Sequence, residues 1–239
     1  MKFTIIIPCR NEKDIIEDTV FKLNAELKEF NYQLIIINDF STDNTIDVLQ
    51  NISKKYQNIF IFNNIKKGLG GAIDLGLSKA NGDYVCIFMA DQSDDIFDLK
   101  KYFYICINEQ PDAVFGSRFL NGSQLIDYPK KKLILNRLFN YFVKIIFLSN
   151  YNDFTNAFKV YNAIKIRDLS PFVSENFNIF LELPLKCISR KMNYKIIPIN
   201  WTNRKIGNPK FKIKELGSMY FFTLAYCWLE MILLKKTKY

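Results

Sequence analysis

The chain has 239 residues, a formal charge of +9, five cysteines and no histidine. With 49% hydrophobic and 24% charged residues it is not a disordered chain, and the missing histidine excludes His-based nucleophilic catalysis and His-ligated zinc. The positive balance suits an anionic bilayer surface or phosphorylated small molecules; no basic, aromatic-interleaved recognition motif is present, so nucleic acid is not an expected partner.

In chain order, "FTIIIP" is a buried strand by its continuous apolar run, and "EKDIIEDTVFKLNAELKEF" carries helical spacing of Ile, Val, Leu and Phe. "YQLIIIND" is a second strand, followed by a helix in "TDNTIDVLQNISKKY" opened by a Thr or Asp cap. "NIFIFNN" is a third strand, and "GLGGAIDLGLSKA" a helix packed closely on the sheet through Gly70, Gly71 and Gly76. "DYVCIFMA" is a fourth strand, "IFDLKKYFYICINE" a helix and "DAVFGSR" a fifth strand. Strands alternating with helices predict an α/β fold with a mostly parallel sheet covered on both faces.

The beat stops after Arg118. A basic helix, "KKKLILNRLFNYFVKIIFL", comes next, then a polar turn in "NDFTNAFKVY" and a helix near "FNIFLELPLKCISRKM". A strand, "YKIIPINW", and an apolar tail complete the chain. The tail falls short of the roughly 20 apolar residues that a membrane span needs, and Glu230 interrupts it. An interfacial or core-packed helix over 216–239 is expected, appended to a domain over 1–215. The N-terminal apolar run is too short for a signal peptide. The scattered cysteines read as reduced, buried small hydrophobes, which points to the cytoplasm.

Ligands of open α/β sheets collect at the carboxyl ends of the strands. Those ends read "PCRNE", "NDFSTDNT", "MADQSDD" and "GSRF": three carry carboxylates with turn residues, and the fourth carries Arg118. Any one alone is more often a helix cap than a site. Four on one edge of one sheet favour a site. The Gly run "KKGLGGAIDLGL" has neither GxGxxG nor Walker spacing, so it is not read as a dinucleotide or P-loop motif.

"IPCRNE", "IINDFSTDNT", "GLGGAIDLGLSKANGDYV", "MADQSDD", "GSRF", "DFTNAFKVY" and "WTNRKIGNPKF" follow in the order seen in family-2 glycosyltransferases. The chain most resembles the branch that glycosylates polyprenyl phosphates, over about residues 3 to 215. The resemblance implies a GT-A fold, a nucleoside diphosphate sugar donor, Mg2+ or Mn2+ and an inverting transfer. It puts Pro8, Arg10, Glu12 and Ile37 at the nucleotide, and Asp39 at its base or ribose. Ala90 and Asp91 meet the diphosphate, with Asp91 and Ser93 (or Gln92) on the metal. Arg118, Arg204 and Lys210 grip phosphates, the last two from a loop suited to closing over the donor. The chemistry agrees, because carboxylates are acceptor-only groups and hard oxygen ligands, and arginine offers a planar fork for phosphate. Asp94 and Asp95 are expected to cap the next helix.

Three positions depart from the pattern. Met89 stands where relatives have the first Asp of Asp-x-Asp, Pro209 where they have Ser, and Asn38 where Asp is frequent. The expected reaction moves a hexose, mannose first, to polyprenyl phosphate. Asp91 and Arg118 are its catalytic residues, and Arg118, Arg137 and the run Lys130 to Lys132 face the acceptor. A phosphate monoester already carries about 1.5 to 2 negative charges and needs no base. A glycan hydroxyl acceptor, the alternative, needs a carboxylate such as Asp94. A nucleotide-sugar-binding protein without turnover is the non-enzymatic alternative. Basic residues and the apolar faces of 133–148 and the tail point to a peripheral place at the cytoplasmic face of a membrane.

Overall fold

A computed structural model of the protein describes residues 1–203 and 213–236, and within the last helix the side chains of 217–233. The first half alternates as the periodicity predicts: β1 (Lys2–Cys9), α1 (Ile16–Glu26), β2 (Asn31–Asn38), α2 (Thr45–Lys55), β3 (Ile59–Asn63), α3 (Leu69–Lys79), β4 (Tyr84–Ile87), α4 (Ile96–Glu109) and β5 (Ala113–Ser117). Then follow β6 (Leu125–Ile126), α5 (Lys130–Ile146), β7 (Lys159–Asn162), α6 (Ala163–Arg167), α7 (Ile179–Ser189), β8 (Tyr194–Pro198), β9 (Trp201–Thr202) and α8 (Ile213–Lys236).

Seven strands form one sheet in the order β3-β2-β1-β4-β7-β5-β8. All run parallel except β7, which enters antiparallel to both β4 and β5. The polar turn expected across "NDFTNAFKVY" therefore ends in a central strand. Its side chains Lys159, Val160 and Tyr161 are all buried. A four-residue strand that carries a buried lysine has no alternation to reveal it.

The sheet is apolar on both faces. Ile5 and Ile7 of β1 pack with Leu34 and Ile36 beneath α1, α2 and α4, while Ile6 packs with Ile35 and Ile37 beneath α3 and α7. This two-sided burial is why the strands read as unbroken apolar runs. Of Gly70, Gly71 and Gly76, Gly76 alone meets the sheet, where a Cβ would lie 2.6 Å from Ile6. A Cβ on Gly70 would lie 1.9 Å from the Ser174 carbonyl and one on Gly71 2.1 Å from that of Lys66, so these two admit neighbouring backbone rather than the sheet.

The tail helix docks on the domain. Tyr220, Leu224 and Cys227 join the core, Thr223 accepts from Asn178 Nδ2 at 2.9 Å, and Glu230 pairs with Arg190 at 2.9 Å. Its other face, with Phe221, Phe222, Trp228 and Leu229, is exposed. Among the described residues no helix is long and apolar enough to cross a membrane. All five cysteines are buried and free.

Candidate active site

The carboxyl ends of β1, β2 and β4 lie side by side, and their loops are latched together. After β1 the chain turns through Asn11 in the left-handed region (φ 51°), a conformation asparagine tolerates. Asn11 accepts from Thr42 N–H at 2.7 Å, and Glu12 N–H donates to Thr45 Oγ1 at 3.0 Å. Glu12 is buried and Arg10 half-buried at this edge. Pro8 is buried too, and Ile37 lies wholly within the core. Asp39, 5% exposed, closes the β2 end.

The loop after β4 carries the acidic stretch. Thr19 Oγ1 donates to the Ala90 carbonyl at 2.8 Å, which ties the loop to α1. Ser93 N–H donates to Asp91 Oδ1 at 3.1 Å and orients that carboxylate. Gln92 does not join it: at φ 57° its amide turns to α1, donating to Asp18 at 2.8 Å and accepting from Lys22 at 2.7 Å. Of the two expected caps, Asp95 opens α4 by accepting Phe97 N–H at 2.8 Å. Asp94 does not cap. It pairs in a β-bridge with Trp201 and is 5% exposed, and among the described residues its buried Oδ2 has no hydrogen-bond partner. Burial first, and then the like charge of Asp91, push its pKa up to about 7, with Arg118 and Lys159 opposing.

Arg118 leaves β5 and is clamped by a residue that the sequence reading passed over. Asp153, fully buried, accepts Arg118 Nε–H at 2.8 Å, Nη2–H at 2.7 Å and the main-chain N–H at 2.9 Å. Burial works against the guanidinium charge, but Asp153 outweighs it and pushes the pKa up. Among the described residues these hydrogen bonds engage Nε and Nη2 and not Nη1.

From α5, Lys132 and Arg137 converge on Arg118 over two rings. Lys132 sits 5.5 Å from the centroid of Tyr128, Arg137 5.3 Å from Phe119, and Arg118 5.5 Å from Phe119 and 5.8 Å from Tyr128. Burial and the nearby Arg118 push Lys132 down, while Asp91 holds it up. Lys132 therefore feels both the Asp91 carboxylate and the Arg118 guanidinium. Asn136 fixes α5 by donating to Tyr128 Oη at 2.9 Å and accepting from Thr155 Oγ1 at 2.8 Å. Behind them Lys159, whose pKa burial pushes down to about 7, donates to the Phe154 carbonyl at 3.2 Å.

The structure thus brings together Arg10, Glu12 and Asp39 on one side, and Asp91, Ser93, Arg118, Lys132 and Arg137 on the other. Arg204 and Lys210 lie outside the described residues. Asp153, Lys132 and Asn136 were the residues missed or left in a group; the "KKK" run pointed to Lys132 and the "NDFTN" turn to Asp153, while no motif pointed to Asn136.

A model of the family described as Glycosyl transferase family 2 matches residues 4–169. Dolichol-phosphate mannosyltransferase of Pyrococcus furiosus is 28% identical over 137 residues, covering 57% of this chain and 39% of that one. This chain thus spans about two fifths of that relative's length. Dolichyl-phosphate beta-glucosyltransferase ALG5C of Trichomonas vaginalis is 26% identical over 230 residues, 90% of this chain and 68% of that one. Among solved structures, glucosyl-3-phosphoglycerate synthase of Mycobacterium tuberculosis, in complex with Mn2+, UDP and phosphoglyceric acid, superposes with a TM-score of 0.71 at 16% identity. That superposition covers 95% of this chain and 78% of that one, and shows the same fold.

Proposed function

Since the chain belongs to glycosyl transferase family 2, we propose that it moves a hexose from a nucleoside diphosphate sugar to a polyprenyl phosphate, with inversion at the anomeric carbon. The observation that carries the acceptor side is the convergence of Lys132, Arg137 and Arg118 next to Asp91. Asp153 offsets the charge of Arg118. The positive charge that α5 brings beside that pair, on Lys132 and Arg137, suits a phosphate better than a neutral hydroxyl. The relatives divide between mannosyl and glucosyl transfer. Mannose is the expectation from the resemblance, and the geometry described here bears on the charge of the acceptor, not on the sugar.

The residues present fit a divalent cation. Asp91 offers a hard carboxylate in an orientation held by Ser93 N–H, and the Ser93 hydroxyl is a second oxygen donor. Mg2+ and Mn2+ use one or two carboxylates and complete the shell with phosphate and water. Asp91 and Ser93 would hold the ion, which would supply neutralisation of charge on the departing diphosphate. In the transfer, an acceptor phosphate oxygen bonds to C1 of the sugar. The bond from C1 to the donor's β-phosphate oxygen breaks, and its electron pair leaves with the nucleoside diphosphate. No proton has to be removed from a phosphate acceptor. A hydroxyl acceptor needs a base, and among the described residues the Oδ2 of Asp94 is sealed from solvent, which favours the phosphate.

The acceptor's hydrocarbon would run along the outer side of α5. Only Asn140 and Val143 of that helix are buried, while Ile134, Leu135, Leu138, Tyr141, Phe142 and Ile145 are exposed beside the basic residues. Phe139 joins α5 to Tyr220 and Phe221 of α8. A bilayer surface against these two helices presents the lipid phosphate to Lys132 and Arg137.

The test is a split of kinetic constants. Lys132→Ala and Arg137→Ala should raise the KM for polyprenyl phosphate by roughly tenfold or more, as expected for a charged hydrogen bond, and leave nucleotide binding unchanged. An unaltered acceptor KM in both variants places the acceptor elsewhere.

A further inference from the structure

The residues on either side of Asp91 are both bonded to one turn of α1. Thr19, fully buried, is the centre of this junction. Its hydroxyl lies 2.8 Å from the Ala90 carbonyl and 3.0 Å from that of Ile15, so its one hydrogen is directed chiefly at Ala90. On a lone pair the same oxygen accepts Gln92 Nε2–H at 3.1 Å. One hydroxyl therefore holds the residue before Asp91 and the residue after it. Asp18 and Lys22 complete the hold on Gln92, the first accepting at 2.8 Å and the second donating at 2.7 Å. Both of these side chains are about half exposed, so they contribute less than the buried hydroxyl.

The backbone agrees that the hold matters. Gln92 stands at φ 57°, in the left-handed region that glycine enters without strain, and there its amide reaches α1. From the other side, Ser93 N–H donates to Asp91 Oδ1 at 3.1 Å. The carboxylate of Asp91 is thus oriented by Ser93, and its backbone by Thr19 through Ala90 and Gln92. What else the loop offers shows why such a hold is needed. Met89 packs against the core, Asp94 is 5% exposed in a β-bridge with Trp201, and Asp95 caps α4. That leaves Asp91 as the carboxylate this loop can turn to a cation. A cation held by one protein carboxylate depends on the direction of that group, and the direction is set by the residues behind it.

We propose that Thr19, acting through Ala90 and Gln92, is a positioning residue for the divalent cation, and that α1 is the rigid support against which the Asp91 loop is set. This rests on the metal reading given above. Thr19 does not itself ligate the ion. It restricts the backbone directions open to Asp91, so that the carboxylate meets the ion without first having to be ordered. The hydroxyl is the working part: serine keeps both of its hydrogen bonds, whereas valine keeps the shape of the side chain and loses both.

The experiment is a titration of the full chain with Mn2+ alone, read by electron paramagnetic resonance; the binding that Asp91→Asn removes defines the site. In Thr19→Val that site should bind Mn2+ roughly tenfold more weakly, the scale of a lost group behind a metal ligand, and Thr19→Ser should bind like the parent. Gln92→Gly separates position from stability. Glycine suits φ 57°, and the partners lost at Asp18 and Lys22 are exposed, so the melting temperature should hold or rise while Mn2+ affinity falls. This variant also carries the test if Thr19→Val does not fold. Parent-like Mn2+ affinity in Gln92→Gly, or in a folded Thr19→Val, overturns the inference and leaves the metal reading intact. Affinity that Thr19→Ser does not restore assigns the effect to packing and overturns it as well. Mn2+ binding that is the same in the parent and in Asp91→Asn removes the metal reading, and this inference with it.

Discussion

In the function proposed above, Asp91 alone would do at the metal what the Asp-x-Asp pattern divides between two carboxylates, because Met89 offers no hard oxygen ligand. Asp91→Asn should therefore lower turnover by roughly a hundredfold or more, about 2.7 kcal/mol of transition-state stabilisation. Mn2+ affinity, read by electron paramagnetic resonance, should fall with it; parent-like turnover and Mn2+ binding would move the metal site away from this loop. Asp153 gives a different signature. Its side chain is fully buried against Arg118, at 7% exposure, so Asp153→Ala strands a buried cation and should cost about 3–5 kcal/mol in urea unfolding. A loss within experimental error would mean that the pair is not what holds the β5 end. Lys159 bears on pH. Its folded pKa of about 7 lies below the ordinary lysine value of 10.5. Below pH 7 the folded state carries the full cost of the buried charge, and that cost is relieved as pH rises towards the unfolded value. Stability should climb between pH 7 and 9, by about 1.4 kcal/mol per unit at most, relative to Lys159→Met. Parallel pH profiles for the two proteins would contradict this. Asp153 and Thr19 were not legible as site residues, because each acts on a partner far along the chain, 35 and 71 residues away. Asp91 was legible because its meaning is local: an acid at the end of an apolar strand.

Elements with local signals came through whole. The α4 span reads off the sequence to the residue, since the Asp95 cap and the apolar spacing both lie within it. The strand β7 did not, because its place between β4 and β5 depends on pairings that no short window contains. The same limit applied to α5. Its spacing gives a helix, but only the fold shows that more than half of its apolar residues are exposed. That face carries a prediction of its own. Leu138→Glu with Phe142→Glu should abolish flotation with vesicles rich in anionic lipid, while leaving the melting temperature unchanged because both positions are exposed. Flotation equal to the parent's would assign the face to something other than a bilayer. Packing of α3 is tested by Gly70→Ala. A methyl group 1.9 Å from the Ser174 carbonyl forces the 173–176 segment to shift, and should destabilise by roughly 1–3 kcal/mol in thermal or urea unfolding. A neutral effect would show that this segment yields freely.

For the molecule as a whole, a parallel sheet collects loop chemistry along one edge, and an amphipathic helix pair with a basic end lies beside it. The fold class and the polar strand-end edge of the sheet were readable from alternation and from the strand-end motifs. The basic cluster around Arg118 depended on three-dimensional convergence from β5, α5 and the turn before β7. The measurement that bears most directly on the central claim is transfer itself. The full chain is incubated with Mn2+, a panel of radiolabelled nucleotide sugars and three acceptors: polyprenyl phosphate, the corresponding polyprenol and a water-soluble saccharide. Label should enter the organic phase with polyprenyl phosphate and with neither of the other two, because only the phosphate both engages Lys132 and Arg137 and attacks without a base. Label on the saccharide or the polyprenol, with none on the lipid phosphate, would contradict the account.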